Sequence, residues 1–205
     1  MSFRTLIAAG ALLVPTLALA ESPASQKRTE AFVAGLLKVK PDDGKLSKAD
    51  KDANLKAYLE LDGYFDFDHL TTAPIAPRAD KFSPAEKADF AKKFRELIRL
   101  IAYPDSGAFF KKAKYTVGAP KEQGEVSIVP IDAKVVKDDL ETKVDIHWKK
   151  VGDSLRIVDV AFDGDSLVKD YQNQFVRIID KDGAKGLIEK IDKRRAELDA
   201  PPKAK

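Results

Sequence analysis

Apolar residues in the first half of the chain recur at helical spacing. Phe32, Val33, Leu36 and Leu37 fall on one side of a short segment, and Leu55, Tyr58 and Leu59 follow at the same period. Ser47 with Asp50 predicts the start of that second helix, and Gly63 predicts its end in a left-handed turn. The strongest pattern is SPAEKADFAKKFRELIRLIAY, residues 83–103. Ser83 caps, Pro84 takes the first position and Glu86 completes a capping box. Phe90, Phe94, Leu97, Ile98 and Ile101 then form a stripe, while Glu86, Lys87, Asp89, Lys92, Lys93 and Arg95 occupy the other faces.

The second half changes period. In LETKVDIHW, residues Leu140, Thr142, Val144, Ile146 and Trp148 alternate with charged or polar ones, as on a half-buried strand. FFKKAKYTV and EVSIVPI predict weaker strands, and Pro130 points to an edge or a bulge. VGDS (151–154) turns into SLRIVDVAF, which is apolar on both faces: Leu155 and Ile157 on one, Val158, Val160 and Phe162 on the other. Gly164-Asp165-Ser166 then opens a helix with Leu167, Tyr171, Phe175 and Ile178 on one side. A last amphipathic helix begins near Asp182, with Leu187, Ile188, Ile191 and Leu198 inward. Helices, a meander and helices again predict an α+β fold: a twisted antiparallel sheet of about four strands, wrapped by helices into a cone with an internal pocket.

Composition narrows the setting. The first 20 residues, MSFRTLIAAGALLVPTLALA, carry one charge and end in Ala-Leu-Ala, the pattern of a cleaved signal peptide. Residues 21–27 read as a flexible exit, 28–199 as one domain, and 200–205 as a disordered tail. With no cysteine there is no lipoprotein anchor, disulfide or thiolate chemistry, and export without disulfides suits a bacterial periplasm. The formal charge of +3 has no clustered excess of base, which argues against nucleic acid. Eleven phenylalanines stand against two histidines, and no G-x-S-x-G occurs, so the pattern points to neither an enzyme nor a cofactor.

Three other chemistries are readable. Asp66, Asp68 and His69 lie within FDFDH but lack a marked further ligand, and Asp66 also suits the cap of a helix starting at Phe67. Asp159, on a strand face with Leu155 and Ile157, could serve a pocket as a buried base or could tie down the strand–helix corner. His147 falls on the polar face of its strand. Lys111, Lys112 and Lys114 could meet anionic head groups or an acidic partner, or simply be solvated.

Three stretches in order resemble the MlaC family, also known as toluene-tolerance auxiliary proteins, over about Leu55–Leu198. They are LDGYFDFDHL (61–70), FSPAEKADFAKKFRELI (82–98) and VDVAFDGDSLVKDYQNQF (158–175). In the last, Asp159, Val160, Gly164, Ser166, Leu167, Tyr171, Gln174 and Phe175 fall on the family's D-V-x-x-x-G-x-S-L…Y-x-x-Q-F positions. Gln172 stands where the family usually has Arg, and Leu155 where a tryptophan often precedes the strand. The resemblance implies a nuclear-transport-factor-like cone whose pocket takes the acyl chains of a phospholipid as cargo. It also implies a monomeric periplasmic carrier that moves lipid between an inner-membrane ABC transporter complex and an outer-membrane lipoprotein–porin complex, maintaining outer-membrane lipid asymmetry.

On periodicity alone the apolar stripes read as solid core. With the resemblance they become candidate lipid-contacting walls: Phe90, Phe94 and Ile98 from the long helix, Val144, Ile146, Trp148, Val158, Val160 and Phe162 from the sheet, and Leu167, Tyr171 and Phe175 from the following helix. A phospholipid with two acyl chains calls for a cavity near or above about 1,000 Å³, the top of the ordinary range.

Overall fold

Helix starts follow the capping chemistry written in the sequence. Ser47 accepts from the Asp50 N–H at 3.1 Å and opens α2 (Lys48–Asp62). Asp66 accepts from His69 N–H at 3.0 Å and opens α3 (Phe67–Thr72). Ser83 accepts from Glu86 N–H at 3.3 Å while Glu86 reaches back to the Ser83 N–H at 2.9 Å, opening α4 (Pro84–Lys112). A 3₁₀ stretch, Ala73–Lys81, joins α3 to α4. These contacts come from a computed structural model that describes residues 23–41 and 45–199. The expected signal peptide (1–20) and tail (200–205) lie outside the described residues.

The first helix corrects the expected flexible exit. α1 runs Ala24–Lys38, and Ser25 is already buried, accepting from the Ser127 hydroxyl at 2.9 Å. Residues 24–27 are therefore helix, held by contact with the sheet. Gly63 also departs from expectation: its φ of −64° is right-handed. The chain leaves α2 instead as a short extended segment beside Ile157, whose N–H donates to Tyr64 at 2.7 Å and whose carbonyl accepts from Asp66 at 3.0 Å.

α4 continues through Pro104 and absorbs the first residues of the expected FFKKAKYTV strand, leaving β1 as Lys114–Val117. A mid-helix proline removes one backbone hydrogen bond. Here packing carries the helix past it. Phe110 is buried, and Gly107 lies so close to α1 that a Cβ there would sit 2.7 Å from the Leu36 carbonyl oxygen.

The sheet has six strands among the described residues, against the expected four or so: β1, β2 (Lys121–Gln123), β3 (Val126–Val135), β4 (Leu140–Val151), β5 (Ser154–Phe162) and β6 (Asp165–Ser166). All pairings are antiparallel, in the order β1-β3-β4-β5-β6, with β2 beside the other end of β3. Pro130 sits inside β3, where β1 gives way to β2, and its carbonyl accepts from Gly118 N–H at 2.8 Å. That break is where a strand can spare a donor.

β5 carries a bulge. Trp148 pairs with Ile157, but His147 pairs with Asp159, so Val158 is the extra residue. The bulge resets the alternation. Ile157, Val160 and Phe162 pair with Trp148, Ile146 and Val144 and share their face, whereas the sequence pattern separates Ile157 from the other two. Asp159, expected beside Ile157, pairs with His147 instead.

α5 spans Leu167–Asp199 with a break at Gly183 (φ 72°), which makes it the two consecutive helices expected. Leu187, Ile188 and Ile191 are buried; Leu198, expected inward, is 36% exposed in the final turn.

Two apolar clusters result. One joins α1, α2, the second half of α4 and the sheet around Trp148, Tyr103, Ile131, Ile146 and Ile157. The other joins the 3₁₀ stretch, the first half of α4 and α5 around Phe82, Phe90, Phe94, Phe175 and Leu187.

Candidate functional site

At the seam between the two clusters lies a cavity of about 440 Å³. α1 contributes Phe32 and Leu36, and the segment around α3 contributes Phe65, Leu70 and Pro74. α4 supplies Phe94, Ile98, Ile101, Ala102 and Phe109, while β4 and β5 supply Val144, Ile146, Ile157, Val160 and Phe162. The first turns of α5 close it with Leu167, Val168 and Tyr171. Polar groups at the wall are few: Asp105, Ser106 and Asp159, with the Tyr171 hydroxyl. Burial alone raises the Tyr171 phenol above its ordinary pKa. Such a wall offers dispersion and exclusion of water, and very little hydrogen bonding.

Eight of the twelve candidate wall residues line this space: Phe94, Ile98, Val144, Ile146, Val160, Phe162, Leu167 and Tyr171. The other four lie elsewhere. Phe90 and Phe175 pack on Phe94, at centroid distances of 5.4 and 5.1 Å, and fill the seam's far end with solid aromatic contact. Trp148 lies one pleat beyond Ile146, with its indole N–H donating to the Thr29 hydroxyl at 2.8 Å. Val158 is the bulge residue, outside the wall. This filling is why the cavity is smaller than the expected 1,000 Å³ or so. α1 and the α3 region were missed as walls, although the stripe at Phe32 and Leu36 was visible.

Three of the other candidate residues, Asp159, Asp66 and Lys111, make structural contacts. The Asp159 carboxylate accepts from Val160 N–H at 2.8 Å and Val168 N–H at 3.1 Å, and from the Ser166 hydroxyl. It thereby ties β5 to the first turn of α5. His147 is half-buried on the opposite sheet face from Ile146. Asp66 is engaged as a helix cap, and among the described residues no group of three or more His, Asp or Glu could hold a metal. Lys111 donates to the Val39 carbonyl, so of the three lysines at least this one is engaged in holding the fold.

One charged network escaped the sequence reading. Asp62, 8% exposed at the end of α2, accepts from Arg95 at 3.0 Å, from Tyr103 at 2.8 Å, and from Arg99 in a two-pronged contact. Burial pushes its pKa upward, but the donors from Arg99, Tyr103 and Arg95 outweigh that and hold it below the usual carboxylate range. Burial, followed by the neighbouring Asp62 charge, drives the Tyr103 phenol well above its ordinary value. Since the Tyr103 ring lines the cavity and stacks on Phe65 at 5.9 Å, the network anchors the cavity wall from behind. Its signal was the spacing of Arg95, Arg99 and Tyr103, one turn apart on a single helix face.

The family model for the MlaC protein matches residues 34–193. The chain belongs to the MlaC family. A comparison with curated proteins returns no match. Among solved structures, the chain is similar to a phospholipid-binding protein from Ralstonia solanacearum in complex with a phospholipid. That likeness has a TM-score of 0.64 at 18% identity and covers 88% of this chain and 100% of the other, so the two share a fold. The match spans every cavity-lining element except the first turns of α1, including Phe32.

Proposed function

We propose that this MlaC-family chain is a phospholipid-binding carrier of the periplasm. It would shelter acyl chains in the seam cavity while moving lipid between inner- and outer-membrane complexes, as a monomer, and so help maintain outer-membrane lipid asymmetry. The observation that carries the reading is the apolar cavity at the seam, whose walls come from β4, β5, α4 and α5 and whose polar groups are few. Membership of the family and a shared fold with a protein held in complex with a phospholipid support the same reading.

The energetics fit that task. Each methylene hidden from water contributes about 0.8 kcal/mol, so a chain of about sixteen carbons requires shelter worth on the order of 10 kcal/mol. Dry walls supply that without a catalytic group, and the head group can stay in solvent. Asp159, the candidate base, has both carboxylate oxygens engaged at the strand–helix corner.

Purification from cells under mild conditions, followed by solvent extraction and mass spectrometry, tests the proposal. Near-stoichiometric phospholipid is the expected result. Protein that emerges free of lipid and takes none from vesicles would overturn it.

A further inference from the structure

The residues lining the cavity carry charge of one sign. Of the lining residues, Asp105 and Phe162 are the two that are well exposed, and they mark where the cavity meets solvent. Among the described residues no Lys or Arg lines the cavity; the charged lining residues are Asp105 and Asp159. The Asp159 carboxylate is fully engaged at the strand–helix corner. Asp105 follows Pro104 on α4, next to the half-buried Ser106, and among the described residues makes no ion pair or side-chain hydrogen bond. Beside Phe162, exposed Asp163 and Asp165 flank Gly164, Asp163 accepting from the Thr142 hydroxyl at 3.0 Å and the Lys143 N–H at 2.8 Å, while Lys169 and Asp170 balance one another on α5.

We propose that Asp105 selects the cargo's head group, favouring phospholipids with an ammonium, such as phosphatidylethanolamine, over anionic ones such as phosphatidylglycerol. The inference rests on the carrier reading. With the acyl chains seated in the cavity, the head group emerges at the rim. An ammonium there gains a carboxylate partner, with the Ser106 hydroxyl alongside. A lipid with net negative charge meets Asp105 as a like charge and finds no lining cation to offset it. Exposed pairs are weakened by solvent, so the discrimination is modest, about fivefold.

Purified protein is incubated with mixed vesicles of equal phosphatidylethanolamine and phosphatidylglycerol with matched acyl chains, re-isolated, and its bound lipid measured by mass spectrometry. The expected result is a bound ratio of about five to one for the ethanolamine lipid, falling toward one in Asp105→Asn and below one in Asp105→Lys. Asp105→Asn is nearly isosteric at an exposed position, so an unchanged melting temperature shows that the fold is intact. Equal uptake by the wild type, or an unchanged ratio in the folded Asp105→Asn variant, would overturn head-group selection and leave the carrier reading standing. Uptake of neither lipid would overturn both.

Discussion

The two apolar clusters are both built from buried apolar side chains, yet one closes solid and the other leaves a hollow. Around Phe90, aromatic rings close on one another: Phe82, Phe94 and Phe175 all lie within 5.8 Å of it, centroid to centroid. Along β4 and β5, the inward residues Val144, Ile146 and Val160 are short and branched, and the helices opposite do not reach them everywhere. Large flat rings on two facing helices interdigitate and leave nothing; shorter side chains beneath a sheet leave a hollow. Phe94 belongs to both worlds, stacked on Phe90 and also lining the cavity.

Breaking the solid side should cost most. Phe90→Ala removes a fully buried ring, and we expect about 3–5 kcal/mol of lost stability in urea unfolding. A loss below about 1 kcal/mol would mean that this cluster is looser than its ring contacts imply.

Asp62→Asn tests the network behind the wall. It leaves the half-buried Arg99 guanidinium with one charge partner fewer, for an expected loss of about 2 kcal/mol near neutral pH. The sign with pH follows from the lowered pKa. The carboxylate contributes stability above the unfolded-state value of about 4, and that contribution disappears as pH falls through the folded-state value. Melting curves from pH 7 down to pH 3 should therefore converge for wild type and Asp62→Asn; a constant gap would contradict the assignment.

The hollow side should behave differently. Ile146→Trp grows a side chain into open space, with an expected stability change under about 1.5 kcal/mol. Bound phospholipid, quantified after extraction, should fall severalfold. Full lipid occupancy in this variant would argue against Ile146 as wall.

Ser83→Ala is the smallest change. Loss of the α4 cap should lower stability by about 1 kcal/mol and leave lipid content untouched. A drop in lipid content would show that the α4 start is coupled to the cavity.

How far the sequence reveals this contrast depends on the residue. Caps at Ser47, Asp66 and Ser83 are legible because their chemistry is local. The face of β4 is legible because Val144, Ile146 and Trp148 alternate with polar residues. β5 hides its phase. With apolar residues on both faces, nothing in SLRIVDVAF marks Val158 as the extra residue, and the pairing with β4 decides it. Pro104 misleads for a related reason. Its local preference is to end the helix, but the close approach of Gly107 to α1 prevails, and that contact joins residues 71 positions apart. The cavity is the least legible feature. Stripes specify which side faces inward; they do not specify whether the facing helices meet.

Trp148 gives the molecule a built-in optical gauge. It is the chain's one tryptophan, fully shielded from water and bonded to Thr29 of α1. Its emission therefore reads the seating of the first helix on the sheet, and a red shift signals that α1 has lifted away. Because the indole sits behind the wall, cargo can come and go with little change in that signal. In Ile146→Trp a second emitter faces the hollow, so the difference between the two spectra isolates events inside it.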